Sequence, residues 1–374
     1  MLRLLPLLLL IQCFHSKMEK NERPSGPVIT MKISERHQKY LTPVEKELYS
    51  ESELPELFLK LKDRSRTVCE MVWGTKKYDA AYVETLIRKE NFKERPFDKW
   101  GHPLPKLIAG CWNFFKLNDG KPETDFRLVK RLYPNENKDC YSVGFMQSYI
   151  MHNEISCDNI YTVDLDWAIQ HAHFQFLQKY AANEMKDRES VKKAVGSLEI
   201  GWSARFDGKK MLASEKAEIN SLCFHTAHES CYRTMENFQG NFSKLKNFQL
   251  SLAELHNMKF SFTPGTVPVI FFSNALEELY TSKSEFALLY DHIQSSMQNG
   301  SKAVLIHHAA GRGEFGIYEL NKSEKGAEMK TVCRDKFMSS PVGDAPAYEY
   351  STHLDRKSTQ KTSQNCSAHP LLKN

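Results

Sequence analysis

Between residues 139 and 182 the spacing of apolar positions changes twice. The run 140–145 is short and apolar, and 159–163 is β-branched and aromatic, so both predict buried parallel strands. The chain turns polar at Asp164 and Asp166, and Ile169, Ala172, Phe176 and Tyr180 then recur at helical spacing. A strand, an acidic tip and a helix in that order place Asp164 where an open α/β sheet presents its ligand crevice.

The same reading extends to both sides. Residues 17–43 are polar without a periodic apolar stripe and read as a tether. Leu48, Leu54, Leu57, Leu59 and Leu61 mark helical core positions, a second helix follows near 80–88, and 107–117 is strongly apolar, with Trp112, Phe114 and Phe115 read as core. Residues 186–193 read as charged and solvated. The stretch 245–255 predicts a third strand ending at Ala253-Glu254, and 267–272 (VPVIFF) a central buried strand running into Ser273 and Asn274. Ser282 with Glu285 forms a capping-box pattern ahead of Phe286, Leu289, Ile293 and Met297, and Asn299-Gly300 ends that helix. A strand at 303–306 turns back through 309–313 into 315–320; five residues leave no room for a helix, so this edge is expected to be a hairpin. The expected organisation is a signal segment over 1–16, a tether over 17–40, a mainly helical cap over 41–133, an α/β domain over 134–325 with an insertion at about 184–243, and a flexible tail over 340–374.

Composition changes this picture little. The chain has 374 residues, 41% of them hydrophobic, enough for one large core or two modest ones. Its 51 basic and 46 acidic residues are scattered, and without clustering the net charge of +5 argues against a nucleic-acid surface or a polybasic membrane surface. The first 16 residues have the basic and apolar regions of a secretory signal. Cys13 follows Leu10-Ile11-Gln12 and is a candidate for lipidation, so the chain is expected to be exported and lipid-anchored; a start at Met18 or Met31 would instead make it cytoplasmic. Eight further cysteines permit complete pairing, and four N-x-S sequons, at Asn241, Asn299, Asn321 and Asn365, matter only in a eukaryotic secretory pathway. The stretch from Cys223 to Cys231 holds four soft-metal ligand types at a spacing foreign to common zinc modules, and no metal is expected there.

Taken together, TVDLDWAIQHAH, VIFFSNALEELY and SSMQNGSKAVLIHH resemble, in order and spacing, the core of class I S-adenosylmethionine-dependent methyltransferases. The resemblance covers about half of the chain and implies a Rossmann-like sheet. It implies S-adenosylmethionine as cofactor and methyl transfer to an unknown acceptor. By position it assigns the cofactor ribose to Asp164, with Asp166 as the neighbouring alternative, and places Gly144, Glu254, Ser273 and Asn274 around the cofactor. No catalytic residue is implied. The loop after the first strand holds a single glycine, Gly144, where the family has several. The alternative expectation is therefore an exported, catalytically silent protein of the same fold that binds a ligand or partner. A hydrolase lacks support, because no G-x-S-x-G elbow occurs, and His307 and His308, on opposite faces of a strand end, read as solvated or structurally satisfied.

Overall fold

The computed structural model describes residues 26–35, 46–72, 122–197, 228–276, 281–308, 314–336, 353–360 and 362–373. They build one nine-stranded sheet in the order β2-β1-β5-β4-β3-β6-β7-β8-β9. The strands are β1 Val28–Ile33, β2 Leu48–Ser50, β3 Asn137–Val143, β4 Asn159–Asp164, β5 Asn247–Leu252, β6 Thr266–Phe271, β7 Lys302–His308, β8 Glu314–Ser323 and β9 Gly326–Lys336. Pairing is parallel from β1 through β5, β4, β3 and β6 to β7, while β2 and β8 run antiparallel to their neighbours. Counted from β3, the central order is third, second, first, fourth, fifth, the doubly wound order whose direction of winding reverses between β3 and β6.

Helices cover both faces, as a parallel sheet requires. On one face lie α1 (Leu54–Val72), α2 (Pro122–Leu132), α3 (Met146–Ile155), α4 (Trp167–Ala181), α5 (Arg188–Gly196) and α6 (His228–Asn241), around a core that includes Phe58, Phe126, Tyr149, Phe176, Phe238 and Phe248. On the other lie α7 (Lys283–Ser296) and α8 (His353–Lys357), with Ile270, Phe272, Leu289, Leu305 and Leu354. Local signals position these helices. Asp166 caps α4 by accepting from the Ala168 N–H at 2.8 Å. Ser282 and Glu285 form a reciprocal capping box on α7, and Gly300 takes the positive φ of the turn behind it. The strand expected at 267–272 is β6, with β3 and β7 on its two sides and its last five residues buried.

Four expectations need correction. The segment read as a tether contains β1, parallel to β5, with Ile29, Met31 and Ile33 buried; its apolar residues alternate with period two, which a search for a helical stripe passes over. In the segment read as a helical cap, β2 is a strand on the sheet edge, and α1 and α2 pack on the sheet's own core rather than ahead of it. The charged stretch near 186–193 opens α5, which buries Val191, Ala194 and Val195. The C-terminal stretch is not a loose tail in its described part: the Gln360 carbonyl accepts from the Thr331 N–H, Gln364 from Arg334, and Cys366 is disulfide-bonded to Cys333. A second disulfide joins Cys140 on β3 to Cys157 at the turn into β4. The expected hairpin edge is present as β7 and β8. Residues 1–16 with Cys13, the aromatic group at Trp112, Phe114 and Phe115, and the 223–231 stretch up to the start of α6 lie outside the described residues.

Candidate functional site

Because β5, β4, β3, β6 and β7 are parallel, their C-terminal tips share one sheet edge. Val143 pairs with Val163 and Asp164 with Leu252, so Gly144, Asp164 and the turn before Glu254 stand side by side. Ser142 pairs with Phe271, which puts Ser273 at the same edge across the winding reversal. There Ser273 adopts φ +50°, a left-handed conformation that non-glycine residues rarely take and that occurs at strained functional turns. Asn274 follows in the same short turn.

Asp164 is partly exposed at the tip of β4. Its Oδ2 accepts from the Gly144 N–H at 3.2 Å and its Oδ1 from the Asp166 N–H at 2.9 Å. The Leu165 backbone N–H is a third donor to it, and a carboxylate has about four lone-pair directions, so roughly one remains for a ligand. Burial lifts its pKa to about 6, against the opposing backbone hydrogen bonds. Asp166 is buried, and burial together with the Asp164 charge holds its carboxyl well above the usual range. Its Oδ1 is used on the α4 cap, and its Oδ2 has no hydrogen-bond partner among the described residues. Glu254, two residues past β5, is buried and accepts from the Asn257 side-chain amide at 3.1 Å, with His256 at 3.7 Å.

Gly144 is held from both sides. Its φ of +74° needs glycine, and a Cβ there would stand 3.0 Å from the Gln147 side-chain oxygen. Its carbonyl accepts from His173 Nε2–H at 3.1 Å. That leaves His173 Nδ1 as an acceptor, filled by the Tyr149 hydroxyl at 2.9 Å. Burial pushes the His173 pKa down to about 3, so the ring is neutral and has one tautomer. This relay fixes the loop from inside the protein.

The predicted positions Gly144, Asp164, Asp166, Glu254, Ser273 and Asn274 thus converge on one edge. The sequence reading missed two polar groups there, Ser142 and His173. Ser142, one residue inside the tip of β3, carries a buried hydroxyl with no hydrogen-bond partner among the described residues. His173 lies on the buried stripe of α4, four residues after Ile169, and could have been read as a core histidine. His307 and His308 end β7 buried rather than solvated, and among the described residues neither nitrogen of His307 has a hydrogen-bond partner. Among the described residues no group of three or more His, Cys, Asp or Glu could hold a metal ion, and no helix is long and apolar enough to cross a membrane.

No protein-family profile matches the chain, and neither does any curated protein. Among solved structures, a S-adenosylmethionine-dependent methyltransferase from Clostridium acetobutylicum ATCC 824 aligns at 10% identity and a TM-score of 0.22, covering 63% of this chain and 72% of that one. Likeness at that level carries no argument by itself. What stands on strand order and register is an α/β protein with a mostly parallel, doubly wound sheet and a polar edge at its winding reversal.

Proposed function

We propose that the chain binds S-adenosylmethionine along the edge formed by the tips of β5, β4, β3 and β6 and transfers its methyl group to an acceptor. The observation that carries the reading is the partly exposed Asp164 carboxylate, level with a glycine whose backbone needs a positive φ. In this reading Asp164 accepts a hydrogen bond from the ribose diol with the acceptor capacity left by Gly144, Leu165 and Asp166. Glu254, one strand further out, faces the base, and the Ser142 hydroxyl gains the partner it lacks. The cofactor supplies an electrophilic methyl group; the chain binds, orients and excludes water.

A second reading is that the domain keeps the fold without the cofactor. It is favoured by the Gln147 amide, which lies against Gly144, and by the two disulfides among the described residues, which fit an oxidising compartment where S-adenosylmethionine is scarce. Calorimetry with S-adenosylhomocysteine separates the two. A saturable isotherm, weakened at least about tenfold by Asp164→Ala, supports the enzyme, since hydrogen bonds to a charged group contribute about 1.5–3 kcal/mol. A flat trace at millimolar ligand removes it.

A further inference from the structure

The C-terminal stretch wraps the β9 edge of the sheet and reaches both of its faces. It begins on one face with α8, where Leu354 is buried in the core that holds Leu289 and Leu305, and the Lys357 ammonium stands 5.0 Å from the centre of the Tyr290 ring. It then runs beside β9. The Thr359 N–H donates to the Met329 carbonyl at 3.0 Å, and the buried hydroxyls of Ser358 and Thr331 meet at 2.6 Å. The Thr331 and Arg334 N–H groups donate outward to the Gln360 and Gln364 carbonyls at 2.8 and 2.9 Å, so these edge donors are met within the chain. On the other face Cys366 is bonded to Cys333, the Asp335 carboxylate accepts from the Ser367 N–H and hydroxyl, and Arg131 of α2 donates to the Leu371 carbonyl.

Covering an edge strand needs only the middle of that path. The first residue of α8 does something else. His353 is buried, stacks on Phe286 with ring centres 4.7 Å apart, and places its Nε2 2.8 Å from the Thr281 carbonyl. A carbonyl can only accept, so Nε2 carries the proton and donates. Thr281, itself buried, donates from its hydroxyl to the Ala275 carbonyl at 2.6 Å, six residues back along the chain. Ala275 closes the turn after β6 by donating its N–H to the Phe272 carbonyl at 3.0 Å, around Ser273 with its positive φ. A non-glycine residue keeps such a conformation only where its surroundings over-determine it. Two tethers meet on this turn: its own bond to Phe272, and a relay that starts on α8.

We propose that His353 is a positioning residue for the Ser273–Asn274 turn, acting through Thr281, and that the C-terminal stretch is thereby a working part of the ligand edge. That S-adenosylmethionine is the ligand there rests on the methyltransferase reading; the relay does not. The relay makes the turn and the stretch interdependent. A ligand that prefers the ordered turn favours the docked stretch, and by linkage the docked stretch favours that ligand by the same factor.

Amide exchange of the full chain reads the relay without any ligand. His353→Leu removes the donor and should speed exchange of the Ala275 amide at least about tenfold while the amides of α4 keep their rates. His353→Gln offers an N–H at similar reach and should restore most of the protection. Thr281→Val breaks the relay at its second bond and should give the same acceleration, with little added by His353→Leu in the same chain; it carries the test if His353→Leu does not fold. In calorimetry S-adenosylhomocysteine should bind His353→Leu about fivefold to tenfold more weakly, with the affinity returning in His353→Gln. In the wild type the same ligand should slow exchange of the Thr331 amide, which the Gln360 carbonyl protects. Ala275 rates unmoved by the variants, or rates that rise alike at Ala275 and along α4, overturn the proposal, since His353 is then packing or general support. An isotherm that His353→Leu leaves unchanged overturns it as well. If the wild type gives no isotherm, the methyltransferase reading fails and the Ala275 rates alone decide whether the relay stands.

Discussion

Asp164→Asn removes a charge that the folded protein holds at a cost, and the size of the effect follows from one displaced equilibrium. Burial raises the carboxyl from 3.8 to about 6 in the fold. A raised folded pKa means that the native state binds the proton more tightly than the unfolded chain, so this group adds stability as pH falls through the folded value. The gain is absent well above pH 6 and complete below the unfolded pKa. Linkage gives about 1.4 kcal/mol between roughly pH 8 and pH 5, and about 2.4 kcal/mol by roughly pH 4. Asparagine cannot take up the proton, so the variant lacks this gain. Asn keeps one acceptor for the Gly144 and Asp166 N–H groups and turns an amide toward the other, an offset of about 1–3 kcal/mol that does not depend on pH. The pH-dependent difference between the two proteins is therefore the informative quantity. Urea unfolding followed by circular dichroism at the two pH values should show the wild type gaining about 1.4 kcal/mol over the variant on acidification. Parallel curves within about 0.5 kcal/mol, or a variant that gains more than the wild type, would refute the burial argument for Asp164.

Two further outcomes test the frame around the site. Phe271 is buried on β6 and meets Phe126 edge-on at 5.0 Å, so Phe271→Ala should cost about 3–5 kcal/mol in the same urea assay; a loss below about 1 kcal/mol would place the strand outside the core. Tyr149→Phe removes the donor to His173 Nδ1 and strands a buried nitrogen, a cost of about 1–3 kcal/mol with faster amide exchange at Gly144 and Phe145; unchanged exchange there would show that the relay does not hold the loop.

The sequence by itself determined β3 to β8 and the helices α4 and α7, because each carries a local signal: a short apolar, β-branched or aromatic run for the strands, a spacing of 3.6 for the buried stripe of α4, and a capping box for α7. The order of those elements also fixed which residues end strands, so Gly144, Asp164, Glu254 and Ser273 could be named as tip residues from the chain alone. Tertiary structure decided what no local period encodes. The pairing of β1 with β5 joins residues more than two hundred positions apart, and three alternating apolar residues in a polar stretch are too few to announce a partner. The packing of the C-terminal stretch on β9 depends on one disulfide and a few backbone hydrogen bonds that only proximity creates. The chemistry at the edge depends equally on three dimensions. Asp164 and Asp166 read alike in the sequence, yet one sits partly exposed with acceptor capacity to spare and the other is buried in a helix cap. The two histidines at the end of β7 are adjacent in the chain and face different cores. His353 and Thr281 lie 72 positions apart in the chain, and only the packing of α8 on α7 brings them together.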